Sequence, residues 1–300
     1  MTDYGHDLLF GTFTTPLVQP PMHAVDIAVA ADRAGLDVVT FQDHPYQPAF
    51  HDTWTLLSFA AARTRRVHLS PNVLNLPLRQ PAVMARAAAS LDRLSGGRVE
   101  LGIGAGAFWD AIAAMGGRRL TPGQSITALE EAIRIMRAIW AVDEKGGVRV
   151  EGEFYRVKGA KRGPAPLHNI GIWIGAYKPR ILKLTGRVAD GWLPSLNYLQ
   201  GGPADLASMN RHIDEGAAEA GRSPAEIRRL LNVAGQFTPS GRGFLNGPPS
   251  QWAEDLAGLA LEYGISGFFI AADDEQTIEL FAHEVAPAVR ERVTAERAHV

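Results

Sequence analysis

Eight short runs of apolar and β-branched residues alternate with eight longer stretches of helical periodicity, and this alternation constrains the fold more than any other feature of the chain. The short runs fall at 8–12, 37–42, 67–74, 99–103, 171–175, 191–193, 229–234 and 267–271. Helical patterns follow at about 22–34, 54–62, 81–94, 124–142, 179–188, 203–220, 251–263 and 275–292, the last interrupted at Pro287. In the longest, Ile126, Leu129, Ile133, Met136 and Trp140 recur at three- and four-residue steps, which makes one apolar stripe. Pro81 suits a first helical turn, and Gly35 suits the residue just past a last one. Strand–helix alternation of this kind predicts an α/β fold, a parallel sheet covered by helices. Eight units in 300 residues suit a closed (β/α)8 TIM barrel, which needs ~250 residues. An open doubly wound sheet is the alternative. Residues 145–167 break the rhythm with two short runs, 148–150 and 154–157, and predict a small hairpin inserted between barrel units. No linker-like stretch divides the chain, so residues 1–300 read as a single domain.

Composition narrows the function classes. Apolar residues make up 46% and charged residues 21%, enough to bury a full core. Thirty basic against 32 acidic residues give a net charge of -2, so nothing points to nucleic acid or to an anionic membrane. The absence of cysteine excludes disulfides, thiolate metal sites and cysteine nucleophiles. No apolar run approaches the roughly 18 residues of a membrane span, and residues 1–7 lack a secretory signature, so a cytoplasmic location is expected. The nine histidines show no ligand spacing, and no metal site is expected.

In a barrel of this type chemistry sits on the loops that leave the C-terminal ends of the strands. After the second run stands Asp43-His44-Pro45-Tyr46, where an imidazole can exchange protons near neutral pH and an adjacent carboxylate can orient it. The segment 70–81 after the third run is too apolar for a solvated loop. Gly102-Ile103-Gly104-Ala105-Gly106-Ala107 after the fourth satisfies a loose G-x-G-x-x-A pattern. No acidic residue stands about 20 positions on, so close backbone approach by a flat ring is the better account than a dinucleotide site. After the fifth run, Gly175-Ala176-Tyr177-Lys178-Pro179-Arg180 leads directly into a helix, whose free amides attract phosphate. The glycine-rich stretch 238–249 reads as a lid carrying Arg242 or as disordered surface. Glu130-Glu131 reads as solvated. Phosphate-loop, zinc-protease and serine-hydrolase motifs are absent.

The passage NVLNLPLRQPAVMARAAASLDRLSGGRVELGIGAG, from Asn72 to Gly106, and the run Gly186-Arg187-Val188-Ala189-Asp190-Gly191-Trp192 resemble the bacterial-luciferase-like family of flavin- and deazaflavin-dependent oxidoreductases. The resemblance extends from about Leu8 to Ala271. It implies a (β/α)8 barrel with reduced F420 or FMN bound across the strand C-termini. Asn72-Val73 falls where many members have a non-prolyl cis peptide behind the ring. Gly104 and Gly106 fall on backbone contacts to it, and Asp110 on a position often polar toward the cofactor tail. Gly175, Ala176, Tyr177 and Lys178 match the phosphate-side loop, with Tyr177-Lys178 in place of the usual small pair. Asp43-His44 falls on the acidic/histidine strand end. Pro45 stands where flavin users more often carry a second histidine, a departure that favours F420.

The resemblance implies an oxidoreductase that uses F420 for hydride transfer to a small organic molecule, with His44 as acid or base and Asp43 tuning it. The alternative is an FMN-dependent monooxygenase supplied by a separate reductase, since a reduced flavin activates oxygen and a deazaflavin does not. A barrel that binds a ligand without turnover is the third reading, with Tyr177 and Trp109 as the bulky residues able to block the pocket. Phe50, Trp54, Phe108, Trp109 and Trp192 would form an apolar substrate mouth if they converge, which favours a hydrophobic substrate. A homodimer is expected from the family habit.

Overall fold

The computed structural model describes residues 2–299. Its main sheet is parallel throughout and forms a barrel from eight strands, β1 (Leu9–Thr14), β2 (Val38–Phe41), β3 (His68–Pro71), β4 (Leu101–Gly104), β5 (Ile172–Ile174), β6 (Gly191–Trp192), β7 (Arg228–Val233) and β8 (Gly267–Ile270). A further pair, Leu74–Asn75, continues β3 beyond the Asn72–Val73 peptide, which is cis. The first half of β3 pairs with β2, and Leu74–Asn75 pairs with β4. The Leu69 amide donates to the Arg98 carbonyl (2.8 Å), and the Glu100 amide donates to that of Leu69 (3.0 Å), which closes the ring.

The expected alternation of strand and helix is present in full. Outside the ring lie α1 (His23–Ala34), α2 (Thr53–Arg63), α3 (Pro81–Ser95), α4 (Pro122–Trp140), α5 (Pro179–Val188), α6 (Asp205–Glu219) and α7 (Pro249–Tyr263). Local chemistry sets their ends. Asp52 caps α2 by accepting from the Thr55 amide at 2.9 Å. Thr121 and Gln124 cap each other's amides, so α4 starts at Pro122, two residues before the apolar stripe suggests. Pro287 does not break the last helix. Glu275–Leu280 runs through a π-turn at Phe281–Val285 into Ala286–Arg297, so the proline meets a widened turn. A short helix at Trp109–Ala114 was not foreseen.

Alternation along the strands sorts side chains into two cores. Val38, Trp173, Leu193, Leu230 and Phe269 fill the barrel interior, with the Trp173 and Phe269 rings 6.0 Å apart. Their neighbours Phe10, Val39, Ile172, Trp192, Leu231 and Phe268 belong to the larger core beneath the helices. Trp192 is fully buried there, and its indole donates to the Ala176 carbonyl at 2.9 Å. It is therefore a packing residue and does not line the mouth as expected.

The insertion is an antiparallel hairpin, Val148–Glu151 with Arg156–Ala160. Its turn is held by Glu131, whose carboxylate accepts from the amides of Glu153 (2.7 Å), Phe154 (3.0 Å) and Tyr155 (3.0 Å). Glu131 is thus buried and structural, contrary to its reading as a solvated residue, because the hairpin folds back over the helix face that the sequence leaves open. The stretch 238–249 is neither a free lid nor shapeless. Asn246–Gly247 pairs with Gln236–Phe237, and buried Leu245 donates its amide to Asp255 at 2.8 Å.

Candidate functional site

The loop after β2 places Asp43 and His44 side by side in sequence but in different surroundings. Asp43 is 3% exposed, and its carboxylate accepts from the Asn75 amide (2.8 Å) and from Arg79 (3.2 Å). Arg79 also reaches Asp52 at 3.0 Å, so one guanidinium ties the β2 loop, the β3 loop and the start of α2 together. Burial pushes the Asp43 carboxyl above its usual range, against the pull of Arg79 and of the Asn75 amide. Asp52 lies below that range. Burial opposes its ionisation, but the Thr55 amide and hydroxyl and Arg79 prevail.

The Asp43 carboxylate makes no hydrogen bond to His44. Tyr46 orients the imidazole instead, with its hydroxyl 2.8 Å from Nδ1. Burial raises the Tyr46 phenol to about 12, helped by the Asp43 charge, so the hydroxyl keeps its proton at neutral pH. Nδ1 is thus occupied, and Nε2 is the nitrogen available for proton exchange. Burial lowers the His44 pKa below that of a free histidine, with Asp43 opposing through charge alone.

Rings of Tyr46, Phe50 and Phe108 stand 5.5, 6.3 and 5.7 Å from the His44 ring. Phe108 is exposed and held at φ 55° at the head of the short helix, which aims it at His44 rather than into the core. Of the five proposed mouth residues, Phe50 and Phe108 meet at His44. Trp109 packs on Gly106, Trp54 lies half-buried against the helix-layer core, and Trp192 points outward.

At the centre of the mouth Val73 is half-buried between two glycines. A Cβ on Gly104 would stand 2.9 Å from Val73 Cγ2, and one on Gly175 would stand 3.1 Å away. Any larger residue at 104 would push Val73 off this floor. Beneath it lies a polar layer that sequence reasoning missed. The Asn72 and Asn232 side-chain amides bond each other in both directions (2.7 and 3.1 Å), Asn72 also donates to Thr40 (2.9 Å), and Asn232 to the Ser195 hydroxyl (2.9 Å). Asn232 had a signal, since it is polar at an inward position between apolar Leu231 and Val233. Arg79 and Tyr46 sat inside segments already singled out, but nothing in their spacing assigned them partners.

On the far rim Ala176 is buried, and Tyr177 turns inward. The Tyr177 hydroxyl accepts from the Ser195 amide at 2.8 Å, and its ring meets Tyr198 edge-on at 5.9 Å. Lys178 is exposed at the N-cap of α5, where the first amides of the helix are free. Asp110 is fully exposed and pairs with Arg119 at the surface.

A model of the family described as luciferase-like monooxygenase matches residues 5–237. An F420-dependent glucose-6-phosphate dehydrogenase of Nocardia farcinica is 35% identical over 221 residues, 71% of this chain and 64% of that protein. Its counterpart in Gordonia bronchialis is 33% identical over 229 residues, 73% of this chain and 65% of that one. The match thus spans just under two thirds of these relatives' length. Among solved structures, an F420-dependent secondary alcohol dehydrogenase in complex with an F420–acetone adduct superimposes with a TM-score of 0.83. At 20% identity over 95% of this chain and 99% of that one, it bears on the fold alone.

Proposed function

Because the chain belongs to the luciferase-like monooxygenase family, we propose that it is an F420-dependent oxidoreductase, a single barrel domain that passes a hydride to a small organic substrate. The observation that carries this reading is the Asp43-His44-Pro45 strand end set beside a floor of Val73 flanked by Gly104 and Gly175. Bare backbone at both glycines with one short side chain between them is flat and poor in obstructions, which fits a planar ring system. The residues that would hold F420 are Asn72, Val73, Gly104 and Gly106 below the ring, and Gly175, Ala176, Tyr177 and Lys178 toward the phosphate. Asp110 would act only on an extended tail. When bound in its reduced form, this cofactor supplies a hydride. The curated relatives named for F420 support that choice over FMN.

The chain's own residues then have distinct tasks. His44 Nε2 gives a proton to, or takes one from, the substrate oxygen while Tyr46 holds Nδ1. Asp43 fixes the loop through Asn75 and Arg79 and biases the imidazole by charge at a distance. The free amides of α5, with Lys178 beside them, attract phosphate. Tyr46, Phe50 and Phe108 exclude water from one side of His44, so a substrate with an apolar part is favoured. The bulky residues that could block the mouth are engaged elsewhere, Tyr177 with Ser195 and Trp109 with Gly106, which argues against a barrel without turnover.

The family's description as monooxygenases supports a second reading, an FMN-dependent enzyme that activates oxygen with a separate reductase. Fluorescence titration of the purified chain with F420 and with FMN separates the two. Saturable micromolar binding of F420 and none of FMN is expected. Binding of FMN alone transfers the assignment to the second reading, and binding of neither overturns both.

A further inference from the structure

We propose that the opposite, N-terminal end of the barrel carries a site for one divalent transition cation of the zinc class, formed by His68, Glu100 and His168. His68 opens β3, Glu100 immediately precedes β4, and His168 lies on the segment that returns from the inserted hairpin to β5. Their ligand atoms all lie within 4.8 Å of one another. Glu100 Oε1 stands 3.2 Å from His68 Nδ1 and 3.3 Å from His168 Nε2. Ligands bonded at ~2.0–2.1 Å in a tetrahedron stand roughly 3.4 Å apart, so both spacings match those around a shared ion. Two imidazoles and a carboxylate leave a fourth position, and a cavity of about 560 Å³ bordered by His68 and Glu100 gives water access to it.

The groups behind the ligands are built for the same purpose. His168 Nδ1 lies 2.8 Å from Oδ1 of fully buried Asp92, and Glu100 Oε2 accepts from the Gly171 amide at 2.7 Å. A carboxylate behind a histidine orients the ring and makes its other nitrogen a better ligand. His168 Nδ1 is buried close to Asp92 but makes no hydrogen bond there, so only Nε2 is engaged, by Glu100. An ion between Nε2 and Glu100 Oε1 would leave Nδ1 to carry the ring proton beside the Asp92 carboxylate. Bound there, it would clip the segment returning from the hairpin to β3 and β4. Spacing in sequence could not show this, because the ligands come from three separate segments that the barrel brings together.

The test is calorimetric titration of the full chain with Zn²⁺, paired with melting curves and the visible spectrum of the Co²⁺-loaded protein. One equivalent of zinc, a raised melting temperature and an intense tetrahedral Co²⁺ band are expected. The zinc response should vanish in His68→Ala and in His168→Ala, and weaken at least tenfold in Glu100→Gln. Absence of binding to the parent chain overturns the proposal, as does binding that survives in both histidine variants. If a variant does not fold, the parent spectrum decides, and an octahedral Co²⁺ signal counts against the site. If a protonated His168 alone bridges the carboxylates, zinc produces neither heat nor shift. The site lies at the end of the barrel away from the mouth, so none of these outcomes depends on the cofactor.

Discussion

His44 shows how burial sets the chemistry of a single residue. Its imidazole is partly withdrawn from water among three aromatic rings, which disfavours the charged form, and the nearest carboxylate is spent on Asn75 and Arg79. The ring therefore stays neutral below the ordinary histidine value of about 6.5, and the acid limb of the pH–rate profile is expected below that point. The same shift affects stability. The unfolded chain takes up this proton before the folded one does, so its contribution is a loss of stability as pH falls through about 6.5. His44→Ala is expected to lower turnover by about 10²–10⁴-fold, to change cofactor affinity little, and to erase the acid limb. Stopped-flow turnover across pH together with equilibrium titration measures all three, and turnover at the parental rate would reduce His44 to a packing residue. The pairing of aspartate and histidine was legible in the sequence, but its meaning was not. Adjacent residues at a strand end point to different sides, so Asp43 turned inward to Arg79, and the hydroxyl that orients His44 comes from Tyr46, two residues on.

Among the elements, the inserted hairpin shows where a helix pattern misleads. Alternation in α4 assigns Glu131 to an exposed face, yet its carboxylate gathers three consecutive amides of the hairpin turn. Hydrogen bonds to a charged acceptor are stronger than neutral ones, and here a single side chain satisfies a turn that has little core of its own. Glu131→Ala is expected to cost about 1–3 kcal/mol and to raise amide exchange across 148–160 while leaving the barrel strands protected. Unchanged protection of the hairpin would show that its own ladder holds it. Helix termini were easier to read. Pro81 and Gly35 act through local backbone chemistry, whereas the π-turn at Phe281–Val285 depends on how the last helix meets α1 and α7, and no local pattern announces it.

For the whole molecule, the two cores have different jobs. The helix-layer core is broad, while the barrel interior rests on a few large side chains, with Trp173 against Phe269 beneath the polar layer of Asn72 and Asn232. Phe269→Ala removes a fully buried ring from this small interior and is expected to cost about 3–5 kcal/mol in denaturant unfolding. Because Phe269 sits under the floor of the mouth, the variant should also weaken cofactor binding. A loss much below 1 kcal/mol would mean that the interior relaxes freely.

From sequence alone the barrel, the position of its insertion and the strand ends that bear the candidate chemistry could be derived. Periodicity of two and of 3.6, together with the residues that start and stop helices, are properties of neighbours along the chain. Only the tertiary structure decided that Trp192 faces the helices, that Tyr46 rather than Asp43 orients His44, and that Asn72 and Asn232 share a buried polar layer. It alone brought His68, Glu100 and His168 to one end of the barrel. Tyr46 reaches His44 within one loop, whose shape Asp43 fixes through Asn75 and Arg79. For Trp192, for the asparagine layer and for the three-residue cluster the physical reason is the same. Which way a side chain points, and what it meets there, is set by ring closure between segments up to 160 residues apart, a distance across which local preference carries no information.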